Sequence, residues 1–334
     1  MPAISAPATV LVTGASGFLA TFCCQSLLRR GFNVRGTVRS QAKGEYLKKL
    51  FGNESNGKFE YVIVENMQAP NAFDEAVKSV DAVEHVASPL TGFEGEPEQA
   101  LKPAIDGTIG ILESVKKNGL EVKRVVITSS SGALSEMKDT SWNQAAVDAV
   151  EKQGRAAPDI VKYCASKVLA ERAAWDFVEK HKNNIEWDVV TICPSWLVGP
   201  NIQEGGISAS NMYLLSTVDP SNRKTGAELT IRGESCCDVR DIADIHAELL
   251  MAPGAGGERI VATLAPFSWK DVYNALSVPY ETPSEEPTPL WVADHSKLER
   301  ILGKSASELF RPFPATIQDA AKSARERGWD LKLN

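Results

Sequence analysis

Short, apolar-rich runs alternate with stretches of helical periodicity through the first two-thirds of the chain. The runs are ATVLVT (8–13), NVRGTV (33–38), FEYVIV (59–64), DAVEHV (81–86), RVVITS (124–129) and WDVVTI (187–192). Helical patterns lie between them at 17–30, 43–51, 71–79, 98–118 and 159–182. Segments such as VLV and the VVI of VVIT are apolar at every position, as expected of strands covered on both faces. Repeated strand–helix alternation predicts an α/β fold with a right-handed, doubly wound parallel sheet. After Pro200 the pattern breaks up, while 235–252 (SCCDVRDIADIHAELLMA) reads as a return to the core with a further helix. The chain is therefore expected to form a nucleotide-binding domain from 1–200 plus 235–262. A smaller, discontinuous substrate lobe from 201–234 plus 263–334 is expected on the sheet's carboxyl edge.

The net charge of −7 over 334 residues argues against a nucleic-acid or anionic-membrane surface, since neither attracts a net negative body. No run approaches the ~18 apolar residues of a membrane span. The opening MPAISAPATVLVTG lacks a basic n-region, so no secretory signal is expected there, and the closing DLKLN reads as neither a prenylation nor a peroxisomal signal. The six cysteines show no C-x-x-C spacing and sit mostly in apolar runs, so reduced, buried thiols in a cytoplasmic protein are expected. His85, His181, His246 and His295 are scattered without ligand spacing, and no metal site is expected.

TGASGFLA (13–20) follows the first strand and opens the first helix. Gly14 permits the tight turn, Gly17 lets backbone approach a pyrophosphate, and Ala20 lets helix and strand pack closely. Ser16, Phe18 and Leu19 complete the turn, whose helix N-terminus faces the phosphates. This places a Rossmann-type dinucleotide site at the first strand-to-helix junction. An NAD site usually has a carboxylate on the second strand, but here that strand ends TVRS, with Arg39 and then Lys43. An arginine fork and an ammonium suit a phosphate dianion, so the expected cofactor is NADP(H). Asn66 and Met67, after the third strand, are placed to meet the adenine, and the small Ala87 and Ser88 to let backbone lie along the cofactor.

Tyr163 and Lys167, in VKYCASKVLAERAAW, share one face of a helix. A phenol alone titrates near pH ~10. An ammonium about 4.5 Å away would favour the phenolate by roughly 4 kcal/mol at an effective dielectric near 20, bringing tyrosine toward the range useful for acid–base catalysis. The fifth strand ends in three serines, Ser129 to Ser131, at the carboxyl edge where ligands bind. TICPSWLVGP closes the site, with the backbone after Pro194, at Trp196 and Leu197, expected to hold the carboxamide. Phe93, Leu134, Trp196, Met212 and Tyr213 are bulky candidates for the substrate pocket and favour an apolar or aromatic carbonyl compound.

Together TGASGFLA, RGTVRSQAK, VEHVAS, VVITSSSGAL, SWN (141–143), YCASKVLAERAAW, CPSWLVGP and CDVRDIADIH resemble the extended short-chain dehydrogenase/reductase family. The resemblance is strongest to its fungal and plant branch of aldehyde and ketone reductases, methylglyoxal reductases and dihydroflavonol reductases. It implies that Ser130 is the catalytic serine, Tyr163 the proton donor and Lys167 the ligand of the nicotinamide ribose, with Arg39 and Lys43 on the 2′-phosphate. That branch commonly has Asp where this chain has Asn66. The expected activity is NADPH-dependent reduction of a small aldehyde or ketone by a monomer or homodimer. The alternatives are a nucleotide-sugar epimerase or dehydratase, which usually retains NAD, and a non-catalytic NADPH-binding regulator, which typically lacks the tyrosine or lysine.

Overall fold

The computed structural model describes residues 4–53, 56–89, 92–229, 231–232, 235–264, 266–281, 288–289 and 292–331. Strands β1 (Thr9–Val12), β2 (Asn33–Val38), β3 (Phe59–Ile63), β4 (Ala82–His85), β5 (Arg124–Thr128) and β6 (Asp188–Pro194) form where the apolar runs predicted them. Outside this series, β7 (Trp196–Val198) pairs with β9 (Cys236–Asp238), and β8 (Ile231–Arg232) with β11 (Thr288–Pro289). A seventh strand of the main sheet, β10 (Arg259–Ala262), pairs with β6 and was not anticipated as a strand. The sheet order is β10-β6-β5-β4-β1-β2-β3, all parallel. The order reverses between β1 and β4, which opens a crevice at their carboxyl ends.

Helices α1 (Phe18–Arg29), α2 (Gln41–Phe51), α3 (Glu98–Asn118), α4 (Gln144–Gln153) and α5 (Asp159–His181) occupy the connections. Later come α6 (Ala209–Ser216), α7 (Val239–Met251) and α8 (Trp269–Leu276). Residues 71–79 are turns rather than the predicted helix. Asn71 and Ser79 adopt left-handed φ of 60° and 55° at the two ends of the segment, a conformation that interrupts a right-handed helix.

The sheet buries apolar side chains on both faces. One face gathers Val10, Val12, Leu27, Val34, Ile242 and Leu249 under α1 and α7. The other gathers Leu11, Val83, Ile111, Val125, Phe177 and Val189 under α3 and α5. A separate cluster of Leu214, Leu215, Phe267, Trp269, Tyr273 and Ile317 gathers side chains contributed from beyond residue 200. None of the six cysteines is joined in a disulfide; five are buried and Cys164 is half-buried. Among the described residues, no helix is long and apolar enough to cross a membrane.

Candidate active site

The carboxyl ends of β1, β2 and β4 are tied together by hydroxyls that sequence reasoning passed over. Thr13 Oγ1 accepts from the Val86 and Ala87 amides at 3.1 and 3.0 Å, and Thr37 Oγ1 accepts from the Gly14 amide at 2.9 Å. The turn they hold needs glycine. Gly14 has a φ of +65°, and a Cβ there would stand 3.0 Å from the Ala87 Cβ. The Gly17 amide donates to the Gly14 carbonyl at 2.8 Å, and Gly17 begins α1 without a side-chain cap. Ser16 and Phe18 are half-buried and Leu19 is buried, so the turn presents backbone to the crevice.

α2 starts beside it with no acidic residue in its first turn. Arg39 is exposed and Lys43 half-buried. Neither makes a hydrogen bond or ion pair to a described residue, and no carboxylate competes for them. Two uncommitted cations at the positive end of a helix are mutually unfavourable until an anion joins them. The uncapped helix start, the glycine turn and these cations fit a dinucleotide carrying an extra phosphate. Asn66 is exposed, and its Oδ1 accepts from the Gln68 amide at 3.0 Å. Met67 packs its methyl over Gly107, where a Cβ would meet it at 2.3 Å.

Of the three expected catalytic side chains, Tyr163 and Ser130 meet at the end of β5, and Lys167 reaches the end of β4. The Tyr163 hydroxyl donates to Ser130 Oγ at 3.1 Å, and Ser130 Oγ also accepts from the Gly132 amide at 3.0 Å. Lys167 Nζ donates to Ser88 Oγ at 3.0 Å. The charge relation between tyrosine and lysine differs from the sequence expectation. Burial pushes the Tyr163 phenol above its ordinary value, partly opposed by the Ser130 hydroxyl. Burial also pulls the Lys167 ammonium down to about 8. Desolvation outweighs the expected acidification in the free chain because the ammonium points at Ser88 and has no carboxylate in hydrogen-bond contact.

Phe93 stands edge-to-face against Tyr163, ring centroids 5.7 Å apart. Its loop is anchored by Lys162, whose buried ammonium donates to the carbonyls of Phe93, Gly95 and Arg155 at 2.9, 3.0 and 2.9 Å. Trp196 and Tyr213 stack with centroids 5.0 Å apart, each 40% exposed, and Met212 is exposed beside them. Asn211 fixes α6 by bridging the Gly199 amide and carbonyl at 3.1 and 2.7 Å. Leu197 follows Trp196 on β7, and its carbonyl accepts from Ser210. Pro194 is buried at the end of β6, and Leu134 is buried against Cys193, Val261 and Met137.

Beside Ser129 lies a buried ion pair that the sequence reading did not name. Arg259 donates to Glu171 Oε1 and Oε2 at 2.7 and 3.1 Å. Glu171 also accepts from Ser129 at 2.6 Å and Thr191 at 2.8 Å. The Arg259 guanidinium lies 3.8 Å from the Trp142 ring centroid. A signal for Glu171 was available, since it follows Lys167 by one helical turn in SKVLAER.

With this geometry in place, the comparisons with known proteins converge. The model of the NAD dependent epimerase/dehydratase family matches residues 10–262. Ketoreductase azaE of Aspergillus niger is 32% identical, over 95% of this chain and 98% of that protein. The NADPH-dependent methylglyoxal reductase GRE2 of Saccharomyces cerevisiae is 29% identical, over 94% and 97%. Among solved structures, yeast methylglyoxal/isovaleraldehyde reductase Gre2 complexed with NADPH superimposes with a TM-score of 0.83 at 29% identity, over 96% of this chain and 98% of that one.

Proposed function

The chain belongs to the NAD dependent epimerase/dehydratase family, and from that premise we propose that it reduces an aldehyde or ketone to an alcohol with NADPH. The observation that carries the reading is the Tyr163–Ser130 hydrogen bond of 3.1 Å, with Lys167 fixed at the adjoining strand end. The similar proteins named for ketone and methylglyoxal reduction support it. NADPH, when bound, supplies the hydride that reaches the carbonyl carbon.

The chain's own residues would do the rest. Gly14, Ser16, Gly17, Phe18 and Leu19 would hold the pyrophosphate, Arg39 and Lys43 the 2′-phosphate, and Asn66 and Met67 the adenine. Ala87, Ser88, Lys167, Pro194, Trp196 and Leu197 would line the nicotinamide half. Ser130 and Tyr163 would hold the carbonyl oxygen between two hydroxyls. Tyr163 passes its proton to that oxygen as negative charge grows on it, which leaves an alcohol and a phenolate to be reprotonated from solvent. A phenol raised by burial keeps its proton at neutral pH, the state a proton donor needs. The Lys167 charge stabilises the phenolate left behind.

The substrate pocket is assigned to Phe93, Trp196, Met212 and Tyr213, with Leu134 behind them. The exposed Trp196–Tyr213 stack and the Phe93 edge favour an apolar or aromatic carbonyl compound. We divide the chain as its sequence pattern suggests, with 201–234 plus 263–334 as the substrate lobe. The six free thiols support a reducing, cytoplasmic setting.

Tyr163→Phe tests the reading. Loss of the hydroxyl should lower kcat for NADPH-dependent carbonyl reduction on the order of 10²–10⁴-fold, with NADPH binding retained. A variant with most of its reductase activity would defeat the assignment.

A further inference from the structure

Away from the crevice, three side chains with no part in this chemistry meet inside the interface between sheet and helices. Cys23 lies on α1, Glu84 on β4 and His246 on α7, and α1 and α7 pack together over that face. All three residues are completely buried. One donor atom of each (thiol sulfur, carboxylate oxygen, imidazole nitrogen) lies within 4.8 Å of the other two. Among the described residues, Nδ1 of His246 has no hydrogen-bond partner, and the one donor acting on the Glu84 carboxyl is the Cys23 thiol inside the cluster.

A carboxylate in that position is costly unless something answers its charge. Arg30, whose charge acts on it, is already committed, its guanidinium donating to Ser26, Asp244 and Glu248. His246 is turned the right way to be a ligand. Its Nε2 is hydrogen-bonded to Thr128 Oγ1 at 3.1 Å; in the tautomer where that N–H donates, the unpartnered Nδ1 carries the lone pair. An outer hydrogen bond of this kind is the usual means of fixing the tautomer of a metal-bound imidazole.

We propose that Cys23, Glu84 and His246 form a buried structural site for one divalent transition-metal ion of the zinc class. The charges balance: a thiolate, a carboxylate and a neutral imidazole carry two negative charges, and the dication cancels them where no solvent can. Sulfur, an imidazole nitrogen and a carboxylate oxygen supply three donors of the mixed S, N, O type that suits zinc and not the all-oxygen shells of calcium or magnesium, and the other oxygen of Glu84 would supply a fourth. With its ligands drawn from α1, β4 and α7, the ion would cross-link two helices to a central strand. Binding would release the protons held by both Cys23 and Glu84. The sequence expectation of no metal site rested on histidine spacing along the chain, which cannot register ligands contributed singly by three separate elements.

The test is metal analysis of the untagged full-length chain, purified without chelator and also refolded in the presence of zinc, beside Glu84→Gln and Cys23→Ser. About one zinc per chain is expected in the wild type, falling to roughly a tenth of that in either variant. Cobalt in place of zinc should give a thiolate charge-transfer band and intense tetrahedral d–d bands, both lost in Cys23→Ser. Wild-type protein without metal after refolding in zinc overturns the proposal, as does full occupancy retained in folded variants. If neither variant folds, the wild-type cobalt spectrum decides, and weak octahedral bands without charge transfer count against the site. A protonated-carboxyl stretch in zinc-treated wild type, absent from Glu84→Gln, would show instead an acid hydrogen-bonded to His246 and would also overturn it.

Discussion

Arg259 and Lys167 are both buried cations near the ends of the same strands, yet the molecule treats them in opposite ways. Arg259 is saturated. It has a bidentate carboxylate, carbonyls at Ala133, Asp139 and Ser141, and an aromatic face at Trp142. Lys167 is 7% exposed and makes one hydrogen bond, to a serine hydroxyl. The paired charge lies beside Ser129 and fixes that serine, Thr191 and the segment around Ser141 to one another. The under-partnered charge lies at the site, where a ligand can supply what the fold does not. The difference separates a group that builds the platform from one held ready at some cost in stability.

Two substitutions probe that difference from opposite sides. Arg259→Met strands the Glu171 carboxylate in the core, so the melting transition should fall by an amount equivalent to about 3–5 kcal/mol. A shift of under a kilocalorie would mean that Glu171 is satisfied by Ser129 and Thr191 alone. Lys167→Met should do the reverse in cofactor-free protein, raising stability at neutral pH by up to about 3 kcal/mol while reductase activity falls. The pH dependence follows from the lowered value of Lys167, about 8 against an ordinary 10.5. Between those values the unfolded chain holds the proton and the folded chain does not, so wild-type stability rises with pH through this window. The advantage of Lys167→Met is therefore complete below pH 8 and disappears toward 10.5. Denaturant melts of both proteins across that range check it, and an advantage that stayed constant would break the contrast.

How far each half of this contrast could be read from the chain depends on the kind of order involved. The catalytic side rests on local order. Tyr163 and Lys167 share one helix, Gly14 and Gly17 one turn, and α3 was bounded at 98–118 by its periodicity alone. The platform rests on distant order. Glu171 meets Arg259 only because β10 adds itself to the far edge of the sheet, and a four-residue run with arginine at its start resembles a loop. The helix expected at 71–79 failed for a local reason, the left-handed Asn71 and Ser79, to which apolar periodicity is blind. The electrostatics of the pair failed for a non-local one. The distance between Tyr163 and Lys167 follows from helix geometry, whereas their desolvation depends on everything packed around them.

The smallest structural effect belongs to a third kind of cation. Arg39 is exposed and pairs with no described residue, so its removal strands none of them, and Arg39→Ser should change stability by less than about 0.5 kcal/mol. Its consequence should appear only when a phosphate is offered. Hydrogen bonds to a charged partner contribute about 1.5–3 kcal/mol, so NADPH affinity should weaken roughly tenfold to a hundredfold while NADH affinity holds. Titrating both nucleotides into both proteins separates the possibilities. Equal weakening for the two would show that Arg39 touches something other than the 2′-phosphate and would leave Lys43 as the only cation assigned to it. A selective loss, with the melting temperature unmoved, would complete the series from a charge that holds the fold, through one that strains it, to one that serves the ligand alone.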